Sequence, residues 1–441
     1  MAFAEIMNVL SRAVFVLSAV VSTLSVSAQQ ALTLEGVFAE VERVNPNVLI
    51  GREAVAQAIA AAEQQRAGLL PRISLDAQQR RTQSVQISDG TPVEQSPVNR
   101  FDGKLTGNVP LLNPAQIATY RAARKSAAVA ELDQQQVVQT VLAAVAEAYF
   151  GHMRNLQRID VLDANIRRAQ ELLDMVQLQF KAGTVTQIDL TRAEAQLTIA
   201  QQARLQQDTA VYQSELQLKR LLDIDLSAPL TLAGFEVVRV APDVFASDAE
   251  RQLMERRPDY QRALKAAEQN RELVRAAGRQ RWGALSAMGE YGYATSRAFD
   301  GNEKNAWFGG VSLSVPLFDG MRIGADQRVA LAQQRAQELR VRALESQIPA
   351  EIRLAVQDAR SRNAQITIAE RNLALAEEQL RLAKIRFEGG AVDNREVIEA
   401  QNSLAVASDN LLEAVYQYNL SRVELARARG DVRSILAERA R

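Results

Sequence analysis

FKAGTVTQIDLTRAEAQL, residues 180–197, returns roughly 207 positions later as FEGGAVDNREVIEAQNSL, residues 387–404. Each copy reads as the end of one helix, a glycine turn, and the start of a helix running back. Upstream of the first turn, Ile159, Leu162, Ile166, Ala169, Leu173, Val176 and Phe180 step alternately by three and four, which is a coiled-coil seam. The same seam precedes the second turn as Ile366, Ala369, Leu373, Ala376, Leu380, Ala383 and Phe387. A return seam follows each turn, at Leu190, Ala193 and Leu197, and at Val397, Ala400, Leu404, Ala407 and Leu411. Alanine at alternate seam positions lets helices approach closely, which suits an extended wall.

The duplication extends outward. VNPNVLIGREAVAQAIAAAEQQRAGLLPRISLDAQ from Val44 recurs as RRPDYQRALKAAEQNRELVRAAGRQRWGALSAMGE from Arg256. GNVPLLNPAQIATYRAARKS from Gly107 recurs as LSVPLFDGMRIGADQRVALA from Leu313. Three blocks in one order make the chain a tandem repeat. The long helices are expected from Ala115 to Lys181 and from Met321 to Glu388, each reaching ~100 Å at about 1.5 Å per residue. Pro349 should bend the second, since it removes one helical hydrogen bond and crowds the preceding turn. A shorter helix is expected before each long one, over Leu34–Leu70 and Asp248–Arg281.

Between short and long helix the period changes to two. Phe101, Gly103, Leu105, Gly107, Val109 and Leu111 alternate with Asp102, Lys104, Thr106, Asn108 and Pro110. Trp307, Gly309, Val311, Leu313, Val315 and Leu317 alternate with Phe308, Gly310, Ser312, Ser314 and Pro316, so one side is mostly small or polar. Their expected partners are Ile73–Ile87 and Leu285–Thr295, joined by polar loops at Ser88–Asn99 and Arg297–Asn305. Each repeat therefore holds one strand hairpin, about 72–112 and 283–317. Four strands cannot close a barrel, and an open edge in a bilayer leaves backbone groups with no partner. Two copies give eight strands and no usable lumen, whereas three give twelve. The fold class is thus mainly α with a small β part. The chain is read as one protomer of a trimer that closes a twelve-stranded transmembrane barrel, four strands per protomer.

Composition narrows the function. The chain has 441 residues with 52 basic and 52 acidic side chains, so no global field favours nucleic acid. It contains no Cys, which removes disulfides, thiolate metal sites and cysteine nucleophiles, and its one His is His152. No metal or cofactor is expected, and no acid or nucleophile converges on an enzymatic motif. His152 reads as helix surface or equatorial packing. Residues 1–28 read as a secretory signal: Arg12 precedes the apolar run Ala13–Val21, and Val26-Ser27-Ala28 has the small-residue cleavage pattern. The first repeat is then placed at 29–242 and the second at 243–441.

Both repeats resemble the outer-membrane efflux proteins, the TolC-like family. The resemblance rests on Asn45-Pro46 and Arg257-Pro258, LLPRISL from Leu69, VPL at Val109 and Val315, and the two turn blocks. It implies a homotrimer in the outer membrane, a trimeric α-helical tunnel in the periplasm that completes the barrel reading, a periplasmic adaptor as partner, and an inner-membrane pump or ABC-type secretion ATPase. It implies that Ala182, Gly183 and Thr184, with Gly389, Gly390 and Ala391, are adaptor-contacting tips. It also implies that Asp189, Glu396 and Glu399 line the periplasmic entrance. Glu396 and Glu399 share a helical face, so three copies would gather six carboxylates and draw cations; acids at a helix start are also what the helix dipole favours. The family's gate uses a Tyr and an Arg where this chain has Phe387 and Val392, leaving Arg395 as the nearest cation, either a partner for Asp189 or, more in keeping with its type, a surface residue. Phe101, Tyr291 and Trp307 are candidate anchors at the lipid headgroups; Tyr293 and Phe308 fit either that role or packing against loops. The competing reading is a periplasmic coiled-coil adaptor, which would not place a strand hairpin inside each helical repeat.

Overall fold

The computed structural model describes residues 32–88, 90–234, 250–298 and 304–437. The expected signal at 1–28 and the repeat boundary at 242 lie outside the described residues. The first repeat contributes α1 (Leu34–Val44), α2 (Pro46–Ala67), β1 (Arg72–Thr82), β2 (Val85–Ser88), β3 (Thr91–Glu94), β4 (Val98–Leu112), α3 (Pro114–Lys181) and α4 (Gln187–Leu221). The second contributes α5 (Glu250–Arg256), α6 (Pro258–Arg279), β5 (Ala284–Thr295), β6 (Lys304–Ser314), α7 (Arg322–Glu388) and α8 (Asn394–Ala428), followed by α9 (Ser434–Ala437). A single 3₁₀ turn, Gln280–Trp282, links α6 to β5.

The two short helices of the sequence reading are each two helices. The residue before a proline is driven out of the helical region, and proline itself suits the first helical position. Asn45 accordingly adopts φ −63° and ψ 125°, ends α1 and caps α2, whose first residue is Pro46. Arg257 does the same before Pro258, at φ −68° and ψ 129°. Pro349, unlike Pro46 and Pro258, lies inside its helix: α7 extends from Arg322 to Glu388 across it.

The first strand is shorter than its alternation suggested. It stops at Thr82; the end of the segment read as strand falls in a separate strand β2, Val85–Ser88, which pairs with β3 inside the segment read as a polar loop, turning through Gly90. The main sheet has the order β1-β4-β5-β6, antiparallel throughout. Its two hairpins come from different repeats, and the β4–β5 ladder joins them.

Among the described residues, three apolar clusters hold the helices. Around the waist, Leu34, Val37, Phe38 and Val41 of α1 pack on Leu142, Val145 and Tyr149 near the middle of α3, with Leu218, Leu222 and Val423. Each such fully buried side chain contributes roughly 1.5–3 kcal/mol of transfer free energy. The second repeat builds a parallel cluster from Leu253, Tyr260, Ile348, Ile352 and Leu425. His152 belongs to this waist, 3% exposed, with Nδ1 2.8 Å from Ser214 Oγ. Burial pushes its imidazole below the ordinary histidine value. The third cluster lies toward the turns and joins both hairpins, from Leu172, Val176, Ala193, Leu380, Ala383, Phe387, Val397 and Leu404. The repeats also interleave: α6 packs on α3 of the other repeat, where Lys125 Nζ lies 2.7 Å from Glu268 Oε2.

Candidate functional site: the hairpin tips and the four-stranded sheet

Both long helices end in the same backbone device. Thr184 N donates to Gln179 O at 3.0 Å and Gly183 N to Phe180 O at 3.0 Å. In the second repeat Ala391 N donates to Arg386 O at 2.9 Å and Gly390 N to Phe387 O at 3.0 Å. This crossed pair closes a helix only when the residue after the cap is left-handed. Gly183 and Gly390 supply that, at φ 74° and 70°. The turn residues Gly183, Thr184, Gly389, Gly390 and Ala391 are all exposed.

The tips meet along one cleft, lined by Thr184 and Asp189 from the first repeat and by Phe387, Gly390, Asp393 and Asn394 from the second. Asp189 is 9% exposed and bound inward. Thr186 Oγ1 donates to its Oδ2 at 2.6 Å and Thr186 N at 3.0 Å. The Thr186 hydroxyl is the main cause of a carboxyl held below the usual range; burial opposes it, and the Thr186 amide and Arg192 add to it.

Two residues that the sequence reading passed over tie the tips together. Asn394 is fully buried, and its Nδ2 donates to the carbonyl of Asp189 at 2.7 Å. Arg192 Nη1 lies 3.6 Å from Asp189 Oδ1 and 3.9 Å from Asp393 Oδ2, bridging α4 to the cap of α8. An Asn beside a turn looks like turn chemistry in sequence, and an Arg on a helix looks like surface. The long-range pairing that gives each its role has no local signal.

Arg395 does not pair with Asp189 within the protomer and lies at the surface, the other reading its sequence position allowed. Arg395 Nε lies 2.9 Å from Glu399 Oε1 one turn along α8, both side chains largely exposed, because the four-residue spacing on one helix is the shorter reach. Glu396 pairs with Arg386 at 2.7 Å across the turn. Phe387, in the wall of the cleft, is 4% exposed and packs within the third apolar cluster; Val392 packs against the same cluster.

In the sheet, direct cross-strand partners share a face. Leu75, Leu105, Tyr291 and Trp307 form one row, continued on the same face by Ile73, Ala77, Val109, Val311 and Leu313. Tyr291 is 61% exposed and Trp307 79%. Phe101, on the same face, is half-buried against Tyr293 with ring centroids 5.9 Å apart. Phe308 alternates to the opposite face. That face carries Ser74, Asp76, Arg80, Arg100, Asp102, Lys104, Thr106 and Glu290. Its side chains bond to one another: Ser74 Oγ and Thr106 Oγ1 lie 2.6 Å apart, and Lys104 Nζ lies 3.0 Å from Glu290 Oε2. Every residue of β1 is exposed, and β6 is exposed at all but two positions, so both sheet edges are bare in the single chain. Among the described residues no helix is long and apolar enough to cross a membrane.

The sequence profile of the family described as outer membrane efflux proteins matches residues 39–223 and 250–431. The outer membrane protein OprJ of Pseudomonas aeruginosa is 26% identical over 341 residues, covering 75% of this chain and 68% of that protein. The outer membrane protein TolC of Vibrio cholerae is 24% identical over 431 residues, 94% of each chain. Among solved structures, CusC superposes with a TM-score of 0.79 at 20% identity, over 90% of this chain and 92% of that one.

Proposed function

The chain belongs to the outer membrane efflux protein family and is an outer-membrane channel protein, and from that premise we propose that it is a passive exit duct with no catalytic step of its own. In this reading three copies close a twelve-stranded barrel, and their helical hairpins form a tunnel reaching through the periplasm. The observation that carries it is the sheet with two bare edges, one apolar face and one polar face. Bare edges in hydrocarbon leave a column of backbone donors and acceptors unsatisfied, and β1 of one copy against β6 of the next satisfies them with one repeated interface. The apolar face, with Ile73, Leu75, Tyr291, Trp307 and Val311, then meets lipid, and Phe101, Tyr291 and Trp307 anchor it near the headgroups. The polar face lines the lumen.

At the other end, the exposed tips Gly183, Thr184, Gly389, Gly390 and Ala391 dock a periplasmic adaptor, which joins the duct to an inner-membrane efflux pump or a type I secretion ATPase. The entrance closes where the tips converge. Asp189, Glu396 and Glu399 supply its carboxylates, and Arg395 and Phe387 serve as a surface ion-pair partner and a packing residue respectively. The restraint that keeps each protomer's tips together is the Asn394–Asp189 hydrogen bond with the Arg192 bridge, in place of the family's Tyr and Arg.

Affinity capture of the protein from detergent-solubilised membranes, with identification of what accompanies it, tests the reading. An adaptor and an inner-membrane transporter recovered together are expected. Recovery from the inner membrane or soluble periplasm, with no outer-membrane pool, would favour the coiled-coil adaptor instead.

A further inference from the structure

Arg80 of β1 and Arg100 of β4 stand directly opposite each other in register on the polar face of the sheet. Like charges so placed repel. The structure resolves the repulsion with one carboxylate: Asp102, 6% exposed, accepts from Arg100 Nε at 2.8 Å and from Arg80 Nη2 at 3.1 Å. The carboxylate is enclosed, while the two guanidinium groups remain about half exposed. What the triad presents outward is therefore positive. The rest of that face leans the same way. Its basic residues are Arg72, Arg80, Arg100, Lys104 and Lys304, against the acids Asp76, Asp102 and Glu290. The triad sits at the end of β1–β4 remote from the helices, next to the loop that carries β2–β3.

We propose that the Arg80–Asp102–Arg100 triads make the outer mouth of the barrel an anion-preferring stretch, so that this part of the duct favours small anions and anionic solutes over cations. The inference rests on the barrel reading above, which sets three triads around one lumen. A narrow passage with low-dielectric walls and one sign of fixed charge concentrates counter-ions and depletes co-ions. Paired arginines with one shared acid do this without the instability of three isolated cations, since each guanidinium keeps a charge-assisted hydrogen bond. The carboxylates at the periplasmic entrance act in series and in the opposite sense, so the barrel's share is read from the change on altering the triad with the entrance left alone.

The test is the reversal potential of the purified protein in a planar bilayer under a KCl gradient, with the dilute side near ~0.1 M, where the screening length is about 10 Å. Substituting Arg80→Gln and Arg100→Gln together is expected to lower the chloride-to-potassium permeability ratio by roughly twofold or more, and Asp102→Asn to raise it. The single change Arg80→Gln keeps one complete Arg100–Asp102 pair and should give an intermediate ratio if the double variant assembles poorly. Unaltered ratios in Arg80→Gln and Asp102→Asn channels that conduct normally would overturn the proposal while leaving the duct intact. Absence of conductance in every protein, the unsubstituted one included, would remove the barrel reading itself and this inference with it.

Discussion

Arg257 Nη1 donates to the carbonyl of Ala428 at 3.1 Å, tying the break before α6 to the last turn of α8. The first repeat makes the same tie with a different side chain: Asn45 Nδ2 donates to Leu221 O at 2.8 Å, at the last turn of α4. Each residue precedes the proline that opens a helix, and each satisfies a carbonyl that the end of the return helix leaves free. The duplication thus conserves a job while changing the residue. Arg257 carries more of it, since its guanidinium also lies 2.7 Å from Asp259 Oδ2 and 2.8 Å from Glu351 Oε2.

Removing that guanidinium takes the cation from two carboxylates, which keep the Tyr260 amide and Gln347 as partners, and leaves a helix-terminal carbonyl at the waist without its donor. Arg257→Ala is expected to destabilise the protein by about 2–4 kcal/mol, and Asn45→Ala by about 1–2 kcal/mol. Thermal unfolding of the purified, detergent-solubilised protein followed by circular dichroism checks the order. Equal melting temperatures for Arg257→Ala and the unsubstituted protein would contradict it.

Adjacent glycines in the second tip should respond in opposite ways. Gly390 has φ 70°, so Gly390→Ala should cost about 1 kcal/mol through backbone strain alone, since nothing lies within 4 Å of the added methyl. Gly389 has φ −76°, and Gly389→Ala should be neutral or slightly stabilising. Amide hydrogen exchange across residues 385–395 reads the difference locally, with faster exchange expected only for Gly390→Ala.

Loosening the tip restraint should open the entrance. Asn394→Ala removes the bond to the Asp189 carbonyl, and Arg192→Ala removes the bridge to Asp393. The first change is expected to raise single-channel conductance and vancomycin sensitivity of the host cell, and the second to do so more weakly, since its pairs are part-exposed at 3.6 and 3.9 Å. Arg395→Ala breaks only an exposed pair of a kind worth roughly 0–1 kcal/mol and should leave both unchanged. A leak through Arg395→Ala alone would put the restraint in the wrong place.

Acid should weaken the same tip. The Asp189 carboxyl is depressed in the folded chain, so its stabilising contribution is complete above the ordinary aspartate range. It is lost as the pH falls from that range down through the depressed folded value. Conductance should therefore rise as the pH is lowered through the acid range, and less steeply in Asp189→Asn, which lacks the titrating group. An identical acid response in the two proteins would exclude Asp189 as the group concerned.

Most of the architecture is legible in the residues because it is periodic. The seam from Ile366 to Phe387 shows its three-four step directly, and six of its seven residues are buried, Leu373 being half-buried. The strand faces follow from strict alternation, with Leu105 and Tyr291 on one side and Lys104 and Glu290 on the other. What was missed is aperiodic or distant. The prolines at 46 and 258 mark helix starts, but the apolar pattern runs across them and hides the break. The β2–β3 hairpin is four residues a side, too short for alternation to separate β2 from the strand before it or β3 from a polar loop. Arg192 and Asn394 acquire their roles from the partner hairpin roughly 200 residues away in sequence, and no local pattern reports such a contact.

The mass of the detergent-extracted particle, measured by native mass spectrometry alongside its conductance in a planar bilayer, tests the duct most directly. Three chains per particle and discrete conductance steps are expected, because only neighbouring copies can cover the edges of β1 and β6. A folded single chain that forms no pore would contradict the account at its root.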